Sequence, residues 1–223
     1  MYTMTLPSMG AFGTNAYVLW DEEKRGVLID APCDADYIIS EIDKKGISLE
    51  KILLTHGHID HIGACARVAR SCGAKICIHK KDLPKLYGDI GNVCGFFGLP
   101  EPEYPQKDDV IAFENDEKIE CGKMCAQVIE TPGHTSGSVC FLFEDEVSGE
   151  LRLYTGDTLF AGSMGRTDMP DGDEDRIFSS LSLLWDRFEG KDALIFPGHG
   201  PSSTVEAERI RNRYFIYAHN IGR

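Results

Sequence analysis

Four short motifs with metal-binding side chains each follow an apolar run of the kind that forms β-strands. They are KILLTHGHIDH, QVIETPGH, LYTGD and IFPGHG, and they lie far apart along the chain. Their histidines and aspartates are His56, His58, Asp60, His61, His134, Asp157 and His199. Loops at strand ends can bring such side chains together at one edge of a sheet. We therefore expect a mixed α and β fold in which these strands end at the same edge.

The motif THGHIDH places three histidines and one aspartate side by side. His56 and His58 can point the same way only if the backbone turns between them, which Gly57 would permit. Four groups this close cannot all bind one tetrahedral ion without strain, so we expect Asp60 and His61 to face a second metal position. The alternative is a pair of core histidines followed by a helix-capping aspartate. The number of imidazoles favours metal, and the whole set of nitrogen and oxygen ligands suits Zn²⁺, Fe²⁺ or Mn²⁺.

Strand and helix patterns alternate along the chain. AYVLW and GVLIDA flank the polar DEEKR and predict a β-hairpin, and DADYIISEIDKKG predicts a helix that ends at glycine. KILLT and KICIH predict strands on either side of a helix over residues 62–71. CAQVIET, SVCFLF, LRLYTGD and ALIFPG predict further strands, with a helix from about Asp173 to Phe188 and another at the end. Two blocks of strands, each followed by helices, favour two packed sheets with helices outside, although periodicity alone does not separate this from other arrangements.

The segment from Lys80 to Asp109 is rich in glycine, proline and aromatic residues and fits neither period. We expect a long loop with a short helix. Two interpretations remain open: a lid over the site, or a surface excursion held down by Phe96 and Phe97.

Length, charge and cysteine content narrow the functional class. With 223 residues, the chain is expected to form a single domain over 1–223 with a substantial core. Its formal net charge of −13 disfavours nucleic-acid partners, because phosphate backbones are bound by Lys and Arg. Without a secretory leader or an apolar stretch of membrane-spanning length, the protein is expected to be cytoplasmic and not membrane-bound, with its eight cysteines reduced. The sequence does not determine whether the protein forms a homo-oligomer.

THGHIDH, TPGHTSGS, TGDTLF and FPGHG, in this order and at these separations, resemble the metallo-β-lactamase superfamily and, within it, the glyoxalase II-like hydrolases. The resemblance covers most of the chain and implies an α/β fold, a four-layer αββα sandwich. It also implies two divalent metal ions, Zn²⁺ first and Fe²⁺ or Mn²⁺ as alternatives. Their ligands would be His56, His58 and His134 for one ion, Asp60, His61 and His199 for the other, and Asp157 as a bridge.

The same resemblance implies hydrolysis of a small-molecule thioester, S-lactoylglutathione or a related compound, by a hydroxide that the two ions share. Asp60 would also accept a proton from the attacking water. Asp30, at the end of GVLID, would accept the free N–H of an imidazole, with a helix cap as its alternative role.

Two differences from the longer glyoxalase II enzymes concern the residues that would bind glutathione. The chain is expected to lack the C-terminal helical domain of longer glyoxalase II enzymes. Arg166 stands where those enzymes have a basic residue that contacts glutathione, and it is our candidate for substrate binding. Asp168, however, replaces a tyrosine of theirs, and a salt bridge from Arg166 to Asp168 or Asp171 is the competing interpretation.

Other functions compete with thioester hydrolysis as interpretations of these motifs. A persulfide dioxygenase of the same superfamily would hold one Fe²⁺ with His56, His134 and Asp157. A non-catalytic binding protein would be expected to have lost a ligand, and none is lost. β-Lactam hydrolysis is not expected, because several β-lactamases differ at the position of His61 and one class commonly has cysteine at that of Asp157.

Overall fold

The computed structural model describes residues 1–114 and 117–221, and in it two six-stranded sheets pack face to face. The first sheet runs in chain order through β1 (Tyr2–Met9), β2 (Thr14–Trp20), β3 (Arg25–Ile29), β4 (Ser48–Leu53), β5 (Lys75–His79) and β6 (Val110–Phe113). Its first three strands are antiparallel, which includes the predicted hairpin, and β3 to β6 are parallel.

The second sheet begins with an antiparallel meander and ends with a crossover. The meander contains β7 (Lys118–Cys121), β8 (Met124–Glu130), β9 (Val139–Glu144) and β10 (Leu151–Gly156). A small hairpin follows, made of β11 (Leu159–Phe160) and β12 (Ser163–Met164). The next strand, β13 (Leu194–Pro197), pairs in parallel with β10, and the last strand, β14 (Ser203–Thr204), pairs antiparallel with β13. Strands β10 and β13 therefore end at the same edge of the sheet.

Helices cover the outer face of each sheet, so the predicted αββα sandwich is confirmed. They are α1 (Ala35–Lys45), α2 (Ile59–Ile62), α3 (Cys65–Cys72), α4 (Glu174–Arg187), α5 (Val205–Arg211) and α6 (Arg213–Ile221). Helix α1 begins after Asp34, whose carboxylate accepts the Tyr37 N–H at 3.1 Å, and it ends at Gly46 in the left-handed conformation.

The buried strands serve two cores at once. In β2, Ala16 and Val18 pack toward α1 and α3, whereas Tyr17 and Leu19 pack toward the second sheet. Successive side chains of a strand point to opposite faces, so one continuous apolar run can fill both layers. This is why AYVLW lacks polar alternation.

Two of the predicted helices are each divided in two. The helix expected over 62–71 is interrupted between α2 and α3, because the His61 carbonyl accepts the Ala31 N–H and the Ala64 N–H donates to the Ala31 carbonyl, both at 2.8 Å. The last helix is interrupted at Asn212, whose side-chain oxygen accepts the N–H groups of Tyr214 and Phe215 at the start of α6.

The segment between β5 and β6 contains 3₁₀ turns at Leu83–Tyr87, Ile90–Asn92 and Lys107–Asp109. Of the two residues expected to hold this segment down, Phe96 does not, because it is 68% exposed, whereas the ring of Phe97 contacts that of Phe12 edge-on at a centroid distance of 4.9 Å. Val93 and Cys94 are among the buried residues of this segment, and they pack with Ile59 and Met169 beside the predicted metal ligands. The segment is thereby fixed to the site edge of the fold.

Candidate metal centre

The seven predicted ligands lie together at one edge of the sandwich. His56 and His58 follow β4, Asp60 and His61 lie in α2, and the other three follow β8, β10 and β13. At this edge Thr14 forms an isolated bridge with His199, and the Asn15 N–H donates to the Gly198 carbonyl at 2.7 Å. The edges of the two sheets are thus joined where the ligands meet.

Several ligand atoms are buried without a hydrogen-bond partner among the described residues. They are the Nε2 atoms of His56, His58, His61 and His134 and the Oδ1 atom of Asp157. Such atoms are rare in folded proteins because each costs about 1–3 kcal/mol of lost solvation. A bound cation would satisfy all of them, so the residues present fit a metal centre.

The spacing of the atoms fits the same conclusion. Nε2 of His61 lies 3.3 Å from Asp157 Oδ1, and Nε2 of His134 lies 3.5 Å from Asp157 Oδ2. Nε2 of His199 is 3.3 Å from one oxygen each of Asp60 and Asp157. Atoms bound ~2.0–2.2 Å from a tetrahedral ion lie about 3.3–3.6 Å from one another.

The ligand atoms fall into three overlapping groups that could each hold an ion. They are His56, His58 and His134; Asp60, His61 and His199; and His56, His61 and Asp157. The first two are the two sets implied by the sequence resemblance. Assignment of each residue to a particular ion stays a prediction.

Hydrogen bonds donated by Nδ1 orient three of the imidazoles. The Nδ1 of His134 donates to the Arg166 carbonyl at 2.7 Å, and that of His199 donates to the Phe12 carbonyl at 3.1 Å. His61 donates from Nδ1 to Asp30 Oδ2 at 2.7 Å. In each ring the proton is thereby placed on Nδ1, which leaves the Nε2 lone pair facing the cluster.

Asp30 makes the contact expected of an imidazole partner and does not cap a helix. Its buried carboxylate accepts from His61 and also from the N–H and the hydroxyl of Thr55, each of the latter at 2.8 Å. Asp34 is the residue that caps α1. The alternative interpretation of Asp30 as the cap is therefore wrong.

Electrostatics within the cluster favour neutral His56 and His58 but a positive charge on His61 and His199. Burial, reinforced by neighbouring imidazoles, holds the pKa of His56 and His58 well below the ordinary value. Burial would raise the pKa of Asp157, but the charges of His61 and the hydrogen bond from His199 outweigh it and hold that pKa well below the ordinary value. Burial likewise lowers the pKa of His199, yet Asp157 and Asp60 raise it to about 9. The paired carboxylates thus attract a positive charge, which an ion could supply in place of the proton.

Arg166 forms the salt bridge to Asp168 that the sequence offered as the alternative to substrate binding. Its guanidinium forms a bidentate pair with Asp168, at 2.6 and 2.8 Å, on the exposed surface. Asp171 pairs instead with Lys85. The connection of Arg166 to the cluster runs through its backbone carbonyl, and substrate binding by its side chain stays a prediction.

The two histidines outside the cluster have structural partners. His79 is buried, with Nε2 2.8 Å from Glu130 Oε1, and His219 stacks on Trp185. Neither imidazole joins the cluster, as expected.

Sequence reasoning missed residues that act on the ligands indirectly. The Thr14 hydroxyl donates to Asp60 Oδ2 at 2.9 Å. Asp82 and Lys85 approach the ligand loops so closely that a Cβ at Gly57 would lie 2.7 Å from Lys85 Cδ. Gly57 is therefore required for this close contact and not for the turn that was predicted, since its φ lies outside the left-handed region. A single Thr or Asp carries no recognisable signal of such a contact.

A sandwich of this kind with a His and Asp cluster at its edge defines a metallo-hydrolase. The family model described as the metallo-β-lactamase superfamily matches residues 9–199, and the chain belongs to that superfamily. Among the described residues, no helix has the length and apolar character needed to cross a membrane.

Proteins similar to this chain include a named hydroxyacylglutathione hydrolase and a named β-lactamase. Hydroxyacylglutathione hydrolase GloC of Haemophilus influenzae is 30% identical over 204 residues, which cover 92% of this chain and 93% of that protein. The crystal structure of the BLEG-1 B3 metallo-β-lactamase has a TM-score of 0.86 at 29% identity, covering 96% of this chain and 99% of that one. The structure of TTHA1623 in a di-iron-bound form has a TM-score of 0.78 at 32% identity, covering 96% and 100%.

Proposed function

We propose that this chain hydrolyses a small-molecule thioester at a pair of divalent ions, with Zn²⁺ the first expectation and Fe²⁺ or Mn²⁺ as alternatives. One observation carries the proposal: Asp157 Oδ2 lies 3.5 Å from His134 Nε2 and 3.3 Å from His199 Nε2. One carboxylate oxygen therefore faces both predicted ligand sets. The di-iron form of TTHA1623 and the name of GloC support a binuclear hydrolase.

The protein side chains have separate tasks in this proposal. Two ions held by the seven ligands would lower the pKa of a shared water to about 7 and polarise the carbonyl group under attack. The Thr14 hydroxyl fixes the orientation of Asp60. Burial raises the pKa of Asp60, but His61 and the hydrogen bond from His199 outweigh it and lower that pKa to about 2. Asp60 is therefore ionised at neutral pH and available as a metal ligand, whereas so low a pKa makes it a weak base; its role as proton acceptor stays a prediction from the sequence.

A thioester suits a site of this composition. The thiolate leaves without first being protonated, so the reaction needs no general acid beside the leaving group. An amide would need one, because an amine anion is a far poorer leaving group.

We place the acyl group in a cleft beside Asp60. This cleft, of about 410 Å³, has apolar walls that include Phe12, Pro32, Ile59, Leu99 and Pro100. Its described lining contains four carboxylates and no Lys, Arg or His; the carboxylates belong to Asp34, Asp60, Glu101 and Glu103. The charge favours an uncharged acyl group here and leaves the carboxylates of a carrier such as glutathione outside. A larger cavity, of about 560 Å³, lies at the far end of the strands around Asp21 and Cys125 and borders none of the ligands.

The first experiment combines elemental analysis of the purified protein with hydrolysis of S-lactoylglutathione, followed as loss of the thioester. We expect two ions per chain and turnover that Asp157→Asn abolishes. Linear acyl thioesters of an uncharged thiol then test the cleft: each added methylene should raise kcat/KM about fourfold, from ~0.8 kcal/mol per buried methylene, until the cleft is full. Absence of thioester hydrolysis by the metal-loaded protein would reject the proposal.

Two further substrates distinguish the alternatives. Oxygen uptake with glutathione persulfide, at one tightly held iron per chain, would identify a persulfide dioxygenase. Turnover of a chromogenic cephalosporin would identify a β-lactamase, and the likeness to BLEG-1 makes that measurement necessary although the sequence did not favour it. We expect neither reaction.

A further inference from the structure

Asp82 is a fully buried carboxylate outside the seven ligands, and four donors surround it. Its Oδ2 atom accepts the Gly57 N–H at 2.7 Å and the Thr135 hydroxyl at 2.8 Å. Its Oδ1 atom accepts the Gly137 N–H at 3.0 Å and the Lys85 ammonium at 2.8 Å. A carboxylate can accept about four hydrogen bonds, so its capacity is used in full.

Three of these donors, all except the Lys85 ammonium, come from the two loops that carry one predicted ligand set. Gly57 lies between His56 and His58, and Thr135 follows His134. Contact is so close that a Cβ at Gly137 would lie 2.5 Å from Asp82 Oδ1. Asp82 therefore holds two loops from different sheets against each other.

Lys85 extends this network to a third segment. Its buried ammonium also lies 2.8 Å from Asp171 Oδ2, which accepts the Ser136 N–H at 3.0 Å. A buried carboxylate is stable only when it is paired and hydrogen-bonded, and Lys85 supplies the counter-charge.

The position of Asp82 in the sequence is typical of a helix cap, but its carboxylate does not act as one. It directly precedes Leu83–Tyr87, a 3₁₀ turn with proline near its start, where an aspartate commonly caps the free N–H groups. Its carboxylate makes no capping bond and points to the ligand loops instead.

We propose that Asp82, paired with Lys85, is a positioning residue that holds His56, His58 and His134 in metal-binding geometry. The inference rests on the proposed metal centre. The other ligand set has its own supports, namely Asp30 on His61, Thr14 on Asp60 and the Phe12 carbonyl on His199. Loss of Asp82 should therefore weaken one metal position and spare the other.

The test uses Asp82→Asn, which keeps the size of the side chain but turns an amide NH₂ toward two donors. Metal-free protein is titrated with Zn²⁺ against a chromophoric chelator. Affinity for one ion should fall about ten- to hundredfold, as when other groups that orient ligands are removed, while the other changes less than about threefold. Equal affinities for both ions in the variant and the wild type would overturn the inference.

Asp21→Asn is the matched control. Asp21 is also buried, accepts the N–H groups of Glu23, Arg25 and Lys123, and pairs with the Arg25 guanidinium. It follows the last residue of β2, whereas Thr14 at the first residue contacts the cluster, so it lies about 20 Å away along the strand. Its substitution should reduce stability without changing either metal affinity, and a loss equal to that of Asp82→Asn would assign the effect to general destabilisation.

A second readout needs no bound ion. In metal-free wild-type protein, hydrogen exchange at the Gly57 and Gly137 amides should be slow, and Asp82→Asn should accelerate it at both without accelerating exchange at the Asn15 amide. Thr135→Val, which removes one neutral donor, is the milder variant should Asp82→Asn fail to fold; it should weaken the same ion several-fold. Unchanged exchange and affinity in these variants would reject the positioning role.

The outcomes separate this inference from the hydrolase proposal. A protein that cleaves no thioester but shows selective loss of one ion in Asp82→Asn would keep the inference and reject the proposed reaction. Thioester turnover with both affinities unchanged in the variant would do the reverse.

Discussion

Replacing Asp30 with asparagine tests how the ligand His61 is held in its metal-binding tautomer. Asp30 lies at φ 57°, in the left-handed region, where asparagine is tolerated and alanine would add about 1–2 kcal/mol of backbone strain. Asparagine therefore removes the charge without a large backbone effect. The variant Asp30→Ala would confound the two.

The expected magnitude follows from the three donors that surround the carboxylate. If the amide oxygen keeps the Thr55 N–H, the NH₂ faces His61 Nδ1, and the ring must move its proton to Nε2, the atom that faces the cluster. If the amide is flipped, the Thr55 N–H loses its acceptor. The first outcome costs metal binding about 1–3 kcal/mol, so affinity for the ion at Asp60, His61 and His199 should fall about ten- to hundredfold. The flipped amide would instead lower the free energy of unfolding by a similar amount.

Chelator competition with metal-free protein measures that affinity, and thermal unfolding reports stability. Asp34→Asn is the matched control: Asp34 is also in the left-handed region, at φ 51°, and it caps α1 without contacting the cluster. Since asparagine caps helices as well as aspartate does, this control should leave both measurements nearly unchanged. A folded Asp30→Asn protein with wild-type affinity for both ions and an unchanged melting temperature would refute the reasoning.

Four further outcomes are expected. Removal of metal should lower the melting temperature, and an ion at 100 times its dissociation constant should restore about 2.7 kcal/mol; an unchanged melting temperature would argue against a metal centre. Arg166→Ala should leave KM within about twofold and stability within about 1 kcal/mol, because Asp168 already pairs with the exposed guanidinium; a tenfold rise in KM at unchanged melting temperature would instead assign it to substrate binding. Near neutral pH a disulfide reagent should react quickly with the exposed Cys125 and hardly at all with Cys77 and Cys140, since burial raises the pKa of both buried thiols to about 11. In the unfolded chain the thiols of Cys77 and Cys140 would ionise near pH 9, whereas in the folded protein they stay protonated up to about pH 11. The free energy of unfolding should therefore fall as the pH rises above 9. Quick reaction of both thiols in the native protein would contradict their burial.

The ligand motifs could be predicted from the sequence because several rare residue types occur together at strand ends. Strand β1 was missed because most of its residues are exposed or half-buried and Pro7 interrupts the pattern. The short β6 was assigned to no element because its middle residues, Ile111 and Ala112, are exposed despite their apolar character. Both strands depend on pairing with a neighbour, which a local pattern does not reveal.

The supporting contacts of the site were beyond sequence reasoning for a related reason. Asp82 looks like a helix cap, and Thr14 looks like any residue at the start of a strand. Their hydrogen bonds join segments that meet only after the two sheets have packed. Chemistry that depends on such contacts has no local sequence signature.

The bridge between Thr14 and His199 has a consequence for how the protein is made. Translation releases the early segments first, so β1 to β5 can fold while most of the second sheet has yet to be synthesised. Of the seven predicted ligands, a nascent chain at that stage offers only His56, His58, Asp60 and His61. The predicted pair of ions could therefore be inserted only after the ribosome has delivered His199, which would make cofactor loading a late event in biogenesis.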